Sequence, residues 1–480
     1  METLEQKEKL SKRFLFGVEG LDKYYSYALV PGTSILVAGH PGAGKTTFAS
    51  MLCYSNAING HPCLFISFGE HKEKFIRHMK NFNMNFEELE KKGLFRYVRF
   101  PLITSRSALD SFVGDLMNLV AKYKANVVVI DGITPMIQIF EEPKARSFLQ
   151  SVLYDVPHLI NGLLVLIADL PFGEEKIGFG GIDFVVDIVI IMKHRIAHGL
   201  LVRTMELRKF RGAPITIAEI PFRIIPGKGI RVFMPPTLEE VSTTLKKMKI
   251  KYYKMGIKEI DNVMGKISSN SVILLEKPSM LKYDELSFAL FSHFILKNKI
   301  KTLVISYAST MQVFKEIFWL TLSDYGLEEE ELNKLYNALE ELVEFSFINP
   351  ARYSLEELYS IEIELVNTSS PQLVIYVDSD VLLSLHGERE QIASSLIYNQ
   401  LLYNKLNNVL TLWTMTAAET SAFRVKEALA DYLIKTSCRD PLCAKKQVTI
   451  RGLHGKTVVF TEEELKRYLA QALREDAKKL

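Results

Sequence analysis

Eight consecutive residues, Gly39-His40-Pro41-Gly42-Ala43-Gly44-Lys45-Thr46, followed by Thr47, have the types and spacing to hold a polyphosphate. They fit the pattern G-x-x-x-x-G-K-[ST] at every fixed position. Glycines let backbone N–H groups crowd round phosphate oxygens without Cβ clashes, and a following helix adds its partial positive charge. Lys45 is placed to reach the β- and γ-phosphates, and the Thr46 hydroxyl to sit on Mg²⁺. Gly39, Pro41, Gly42, Ala43, Gly44, Lys45, Thr46 and Thr47 are therefore the candidate nucleotide-binding residues. A second carboxylate-bearing stretch, Val127-Val128-Val129-Ile130-Asp131, reads as a buried strand ending in an acid. Asp131 there can hold Mg²⁺ through its waters, so Thr46 and Asp131 are the candidate metal residues.

These groups need a frame, and the flanks supply one. Ser34-Ile35-Leu36-Val37-Ala38 is a short apolar run that leads into the loop as a strand, and Thr47 to Leu52 leaves it as a helix. Further strands are predicted at Pro62–Phe68 and Leu163–Ala168. Helices are predicted at 73–81, 107–122 and 145–160. Strands apolar on both faces and alternating with helices imply a mostly parallel sheet covered on each side, an α/β fold.

At 480 residues the chain exceeds what one core usually holds, so two domains are expected. Lys and Arg number 59 against 56 Asp and Glu, a net charge of +3. Such near-neutrality argues against wrapping nucleic acid or lying on an anionic membrane. No apolar run approaches the 18 residues of a spanning helix, and the charged start METLEQKEKLSKR lacks the apolar core of a signal peptide. Four cysteines do not make a disulfide framework, and Cys438 and Cys443 read as ordinary thiols. A cytoplasmic protein is expected.

The plan also repeats at an offset of about 240 residues. Gly17-x-x-x-Leu21-Asp22 recurs as Gly256-x-x-x-Ile260-Asp261, Ser34-Ile35-Leu36-Val37 as Ser271-Val272-Ile273-Leu274, and Val129-Ile130-Asp131 as Tyr376-Val377-Asp378. This predicts a first domain over 1–236, a lysine- and threonine-rich linker over 237–252 just after Pro235-Pro236, a second domain over 253–460, and a helix over 461–480. The second copy has lost the loop: Glu276-Lys277-Pro278-Ser279-Met280-Leu281-Lys282-Tyr283 stands at the aligned place. On this alignment Glu276, Ser279 and Leu281 replace Gly39, Gly42 and Gly44, filling the phosphate space.

With the loop, the Asp131 strand and the duplication together, the chain resembles the KaiC family of RecA-like ATPases, many of which carry two tandem domains. Gly17 to Asp22 looks like the family's entry motif. Gly180 to Asp187 resembles the stretch after the last central strand, Leu207-Arg208-Lys209-Phe210-Arg211-Gly212 its K-x-R-G hairpin, and Pro221 to Ile224 its closing strand. The resemblance implies ATP with Mg²⁺, two RecA-like domains, and a homo-oligomeric, hexameric ring. In such a ring Lys209 and Arg211 touch the γ-phosphate held by a neighbouring subunit. Spacing of two on a strand puts both cations on one face.

The family usually has two adjacent glutamates after the second strand, the first being the base that activates water. Here the stretch reads Ser67-Phe68-Gly69-Glu70-His71, so Gly69 stands at the first and Glu70 matches the second. Glu70 is thus the candidate base, one position displaced. The leading expectation is a slow Mg-dependent ATPase at subunit interfaces, with an unidentified regulatory protein partner. One alternative is a non-hydrolysing, ATP-gated scaffold. Another is a DNA-strand-handling ATPase, against which the acidic Phe140-Glu141-Glu142-Pro143 and the near-neutral charge speak.

Overall fold

The structure, a computed structural model, describes residues 13–103, 106–135, 155–171, 182–197, 200–215, 217–232, 249–279, 281, 284–385, 390–416, 421–440, 443 and 445–480. The expected helix up to residue 154, the stretch Phe140–Pro143, Gly180-Gly181, Lys282-Tyr283 and residues 237–248 of the expected linker lie outside them. The chain divides into two compact units, Met1–Met234 and Pro235–Leu480.

The first unit is built on one nine-stranded sheet. In spatial order the strands are β3 (Phe95–Arg99), β2 (Cys63–Ser67), β4 (Val127–Asp131), β5 (Leu163–Asp169), β1 (Thr33–Gly39), β6 (Ile188–Ala197), β7 (Leu200–Phe210), β8 (Glu219–Ile225) and β9 (Gly229–Val232). From β3 to β6 all neighbours are parallel; β7, β8 and β9 close the sheet as antiparallel hairpins. Every residue of β1 and β2 is buried, as helices on both faces require. Helices α1 (Glu19–Tyr25), α2 (Lys45–Ile58), α3 (Lys72–Lys80), α4 (Phe86–Lys91), α5 (Arg106–Tyr123) and α6 (Ile182–Val185) accompany it. One core packs α2, α3 and α4 on one face through Phe48, Leu52, Phe65, Phe75 and Phe86. The other packs α5 through Phe112, Leu116 and Val120.

The second unit repeats that strand order from β3 through β8 and, among the described residues, has no counterpart of β9 in its sheet. Its eight-stranded sheet runs β14 (Val343–Phe347), β13 (Thr302–Ser306), β15 (Leu373–Val377), β16 (Leu410–Thr416), β12 (Val272–Lys277), β17 (Tyr432–Cys438), β18 (Lys446–Arg451) and β19 (Thr457–Thr461). A separate two-stranded ribbon pairs β10 (Tyr252–Tyr253) with β11 (Ile267–Ser268). The helices are α7 (Lys258–Met264), α8 (Glu285–Asn298), α9 (Met311–Ser323), α10 (Glu329–Leu342), α11 (Leu355–Ser369), α12 (Ser379–Leu385), α13 (Glu390–Leu406), α14 (Ser421–Leu429) and α15 (Glu462–Lys479). Both units are thus RecA-like, each with a mostly parallel central sheet between helices. The repeated entry motif folds alike in both. The Phe16 N–H donates to Asp22 Oδ1 at 2.6 Å, and the Met255 N–H to Asp261 Oδ1 at 2.8 Å.

Two readings of the second copy change. Ser34 and Val272 are equivalent, because each N–H donates to an aspartate, Asp187 or Asp431, whose own N–H donates back. Five residues on, Lys277 rather than Glu276 corresponds to Gly39; Glu276 is buried and ion-paired with Lys435 at 2.5 Å. Likewise Asp131 pairs with Ser67 while Val377 pairs with Ser306, so Asp378 lies one step beyond the place equivalent to Asp131. Text alignment missed both shifts because a sheet's register is set by its ladder, not by residue likeness.

The thiol expectation is also corrected: Cys438 and Cys443 form a disulfide. The turn after β17 folds back on itself, with Cys443 at φ +54° donating its N–H to Asp440, which brings the two Cα atoms within 4.7 Å. Helix α15, which follows β19, buries Leu465, Leu469, Ala472 and Leu473 in the core of its own unit, and Asp476 meets His293 of α8 at 2.5 Å. Among the described residues no helix is long and apolar enough to cross a membrane.

Candidate functional site

The phosphate loop connects β1 to α2 at the carboxyl end of the sheet, where parallel α/β folds gather their ligands. Its glycines are there for different reasons. A Cβ on Gly39 would lie 2.0 Å from the Met192 carbonyl oxygen of β6, so the close approach of two strands demands the bare residue. Gly44 caps α2 with φ +100°, a conformation L side chains rarely adopt. As a glycine it brings no side chain to the first-turn amides of Lys45, Thr46 and Thr47. Those N–H groups therefore face the loop's hollow with the positive end of the helix behind them.

Lys45 is 7% exposed and bends back into the loop. Its Nζ donates to the carbonyls of Gly39 and His40, each at 2.9 Å, and meets Asp169 Oδ1 at 2.9 Å. Thr46 Oγ1 donates to Asp131 Oδ2 at 2.8 Å, joining the loop to the end of β4. The Asp131 carboxyl is pushed up to about 6, by desolvation first, with Asp169 and Glu70 adding repulsion, while Thr46 and Lys45 oppose the rise. A carboxylate so short of counter-charge beside a hydroxyl is what a divalent cation relieves, so these residues fit Mg²⁺. Among the described residues no three His, Cys, Asp or Glu cluster as a self-sufficient metal site. That suits an ion that takes most of its ligands from phosphate oxygens and water.

Asp169 was not singled out from sequence. The signal was present, since Leu163 to Ala168 is an apolar strand running into an acid just as Val127 to Asp131 does. The parallel β4–β5–β1 pairing turns that resemblance into proximity: Asp169 stands level with Gly39.

Glu70 is near but not aimed at the loop. Its carboxylate lies 3.2 Å from His78 Nδ1 and 3.8 Å from Lys74 Nζ, both on α3. Its own N–H and that of Gly69 donate to Ser67 Oγ, folding the chain out of β2. A Cβ built on Gly69 meets nothing within 4 Å. The space for the missing first carboxylate is therefore still there.

Lys209 and Arg211 do not join this cluster. β7 runs antiparallel to β6, with Met205 level with Met192 and hence with Gly39, and Lys209 level with Val189. Four residues of strand separate Lys209 from the level of the loop, on the order of 13 Å, and Arg211 lies beyond it. Lys209, next to last in the strand, donates to the Phe184 carbonyl at 3.0 Å; Arg211 lies in the turn after Phe210, 3.0 Å from Asp187 Oδ1. The hairpin cannot serve the loop of its own unit.

The loop, the threonine–aspartate bond and all nine strands of the first sheet lie within a stretch that matches a known family. Residues 15–237 match the family model described as the KaiC ATPase. The N-terminal half of the chain is a KaiC-family ATPase domain. Its relatives include the circadian clock protein KaiC3 of Synechocystis sp., 26% identical over 271 residues, which are 54% of this chain and 52% of that protein. A UPF0273 protein of Methanopyrus kandleri is 24% identical over 237 residues, 46% of this chain and 92% of that protein. The circadian clock oscillator protein KaiC of Synechococcus elongatus is 24% identical over 388 residues, 75% of this chain and 72% of that protein. The chain thus spans about half the length of KaiC3 but most of the shorter Methanopyrus kandleri relative. At this level the first unit is a KaiC-like P-loop ATPase domain.

Proposed function

We propose that the KaiC-type domain binds ATP with Mg²⁺ and hydrolyses it slowly at the interfaces of a homo-oligomeric ring, as a regulatory switch. The observation that carries this reading is the meeting of Lys45, Thr46, Asp131 and Asp169 at one end of the sheet. A bound triphosphate gives Lys45 phosphate oxygens in exchange for two carbonyls and Asp169, and engages the amides of Gly42 to Thr47. Thr46 and, through water, Asp131 would hold Mg²⁺, which when bound would supply positive charge beside the phosphates. Lys209 and Arg211, too far along β7 for their own loop, would clamp the γ-phosphate of the next copy. Glu70 would act as base only by leaving His78 and Lys74, which makes turnover slow. The second unit would then serve as a degenerate partner in ring contacts or docking.

Because the position of the first carboxylate is Gly69, a scaffold that binds ATP without cleaving it is the competing reading. Phosphate release by wild type, with Lys45→Ala as the blank, separates the two. Release above the blank that is abolished by Arg211→Ala, and partly restored on mixing Arg211→Ala with Lys45→Ala chains, is the expected result. No release above the blank sinks the enzyme; release that mixing never restores sinks the shared site. The reading gives no role to nucleic acid.

A further inference from the structure

The second unit is hollow where the first is full. In the first, the space between α2, α3, α4 and the strands β2 and β3 is packed by Phe65, Phe75, Phe86, Phe95 and Tyr97, whose ring centroids lie 4.4–6.2 Å apart. The corresponding space, between α8, α9, α10 and β12 to β15, holds a cavity of about 180 Å³. Its wall is almost wholly apolar and rich in rings: Phe288, Phe291, Phe314, Phe318, Tyr336 and Phe345. The cavity opens to solvent, and an apolar concave surface left open to water is the usual form of a small-molecule site. An apolar void of roughly 150 Å³ is known to take up a benzene ring rather than water.

The cavity's place in the sheet matters as much as its volume. Lys277, Val377 and Asp378, and Thr414 bring it to the carboxyl ends of β12, β15 and β16, the edge at which open α/β sheets bind ligands. Exposed Met311, Lys315 and Glu340 on α9 and α10 form its rim. The carboxylates in the wall are already engaged. Asp284 accepts from Ser287 Oγ and Thr436 Oγ1, each at 2.6 Å, Asp378 from Ser309 Oγ at 3.0 Å, and Glu340 from the Tyr336 hydroxyl at 3.2 Å. Lys315 lies over the Tyr336 ring, 5.0 Å from its centroid. Recognition here comes from buried apolar surface and ring contacts, not from charge.

We propose that the second unit has exchanged its phosphate loop for a binding site for a small, uncharged, ring-containing apolar molecule of one or two rings. The test uses the full chain and a neutral two-ring fluorophore, 6-propionyl-2-(dimethylamino)naphthalene. Saturable enhancement with one site per chain is expected, unchanged by Lys45→Ala and by Mg-ATP. Ser292→Leu and Val343→Phe each place side-chain atoms in the void and should weaken binding at least tenfold. Should both fill-in variants fail to fold, hydrogen exchange of wild type decides: the fluorophore should slow exchange in 311–342 and leave 45–58 unchanged. Non-saturating enhancement, equal binding by a folded fill-in variant, loss of binding with Lys45→Ala, or protection confined to the first unit would each overturn the proposal.

Discussion

The two units carry the same strand order, and they treat the helix that follows their central strand in opposite ways. α2 begins at Gly44, a residue without a side chain, and so leaves its first-turn amides to an anion. α8 begins at Asp284, whose carboxylate accepts from the Ser287 N–H at 3.5 Å and from its hydroxyl at 2.6 Å. A carboxylate at a helix N-terminus satisfies the same dipole and donors that a phosphate would, and repels a phosphate that approaches. On the reading proposed above, a nucleotide fold gives up its ligand while keeping its strand order, because one residue at a helix cap supplies the negative charge from within. The space behind the helix is then free of any duty to support a phosphate loop.

The sharpest way to break this contrast is at the two lysines. Lys45→Ala removes a cation that phosphate oxygens would engage by charge-assisted bonds, each worth roughly 1.5–3 kcal/mol. ATP affinity should fall about 100-fold, read by titration with a fluorescent ATP analogue. Lys277→Ala, at the position of Gly39, should leave it unchanged; an equal loss from both would mean that the second unit binds nucleotide after all.

Next in size is the missing carboxylate. Gly69 and Ala308 are each two residues beyond the equivalent serines Ser67 and Ser306. Gly69→Glu enters open space and should raise phosphate release towards the ~10²–10⁴-fold that a positioned general base contributes. Ala308→Glu should change nothing. If Gly69→Glu leaves the rate flat, Glu70 already supplies the base or no base limits the reaction.

The packing contrast predicts unequal costs for the same deletion. Phe65 is fully buried among stacked rings, so Phe65→Ala should cost about 3–5 kcal/mol in denaturant unfolding. Phe314 borders the cavity, and Phe314→Ala should cost only ~1–2 kcal/mol because fewer contacts are lost. Equal costs would show that the cavity closes in solution.

Much of this was legible before any coordinates. The loop pattern marked the turn between β1 and α2, the apolar runs located β1, β2, β4 and β5, and Asp131 was placed at a strand end by its run alone. What escaped was whatever depends on lateral pairing. Asp169 reaches Lys45 only because β5 lies beside β1, and Lys209 leaves its own loop only because β7 runs antiparallel to β6. Lys277 and Val377 displaced Glu276 and Asp378 as counterparts for the same reason. The Cys438–Cys443 bond depended on one left-handed turn residue, for which a cysteine gives no sequence warning.

On the other face of its sheet the second unit buries charge that gives it a pH signature. Lys426 on α14 is 1% exposed, donates to Ser379 Oγ at 2.9 Å and lies over the Trp413 ring, 4.4 Å from its centroid. Burial lowers it to about 7, and burial raises Glu362, which accepts from the Tyr307 hydroxyl, to about 7. For the lysine, the unfolded chain holds a proton between pH 7 and its ordinary 10.5 that the folded chain does not, so stability rises with pH across that window. For the glutamate, the folded chain holds the extra proton between pH 4.5 and 7, so stability falls as pH rises there. Each limb has a limiting slope of about 1.4 kcal/mol per pH unit. Subtracting the stability of Lys426→Met from that of wild type at each pH isolates the alkaline limb, and Glu362→Gln isolates the acid one. A flat difference in both would mean that water reaches these groups and that the unit's second core is not dry.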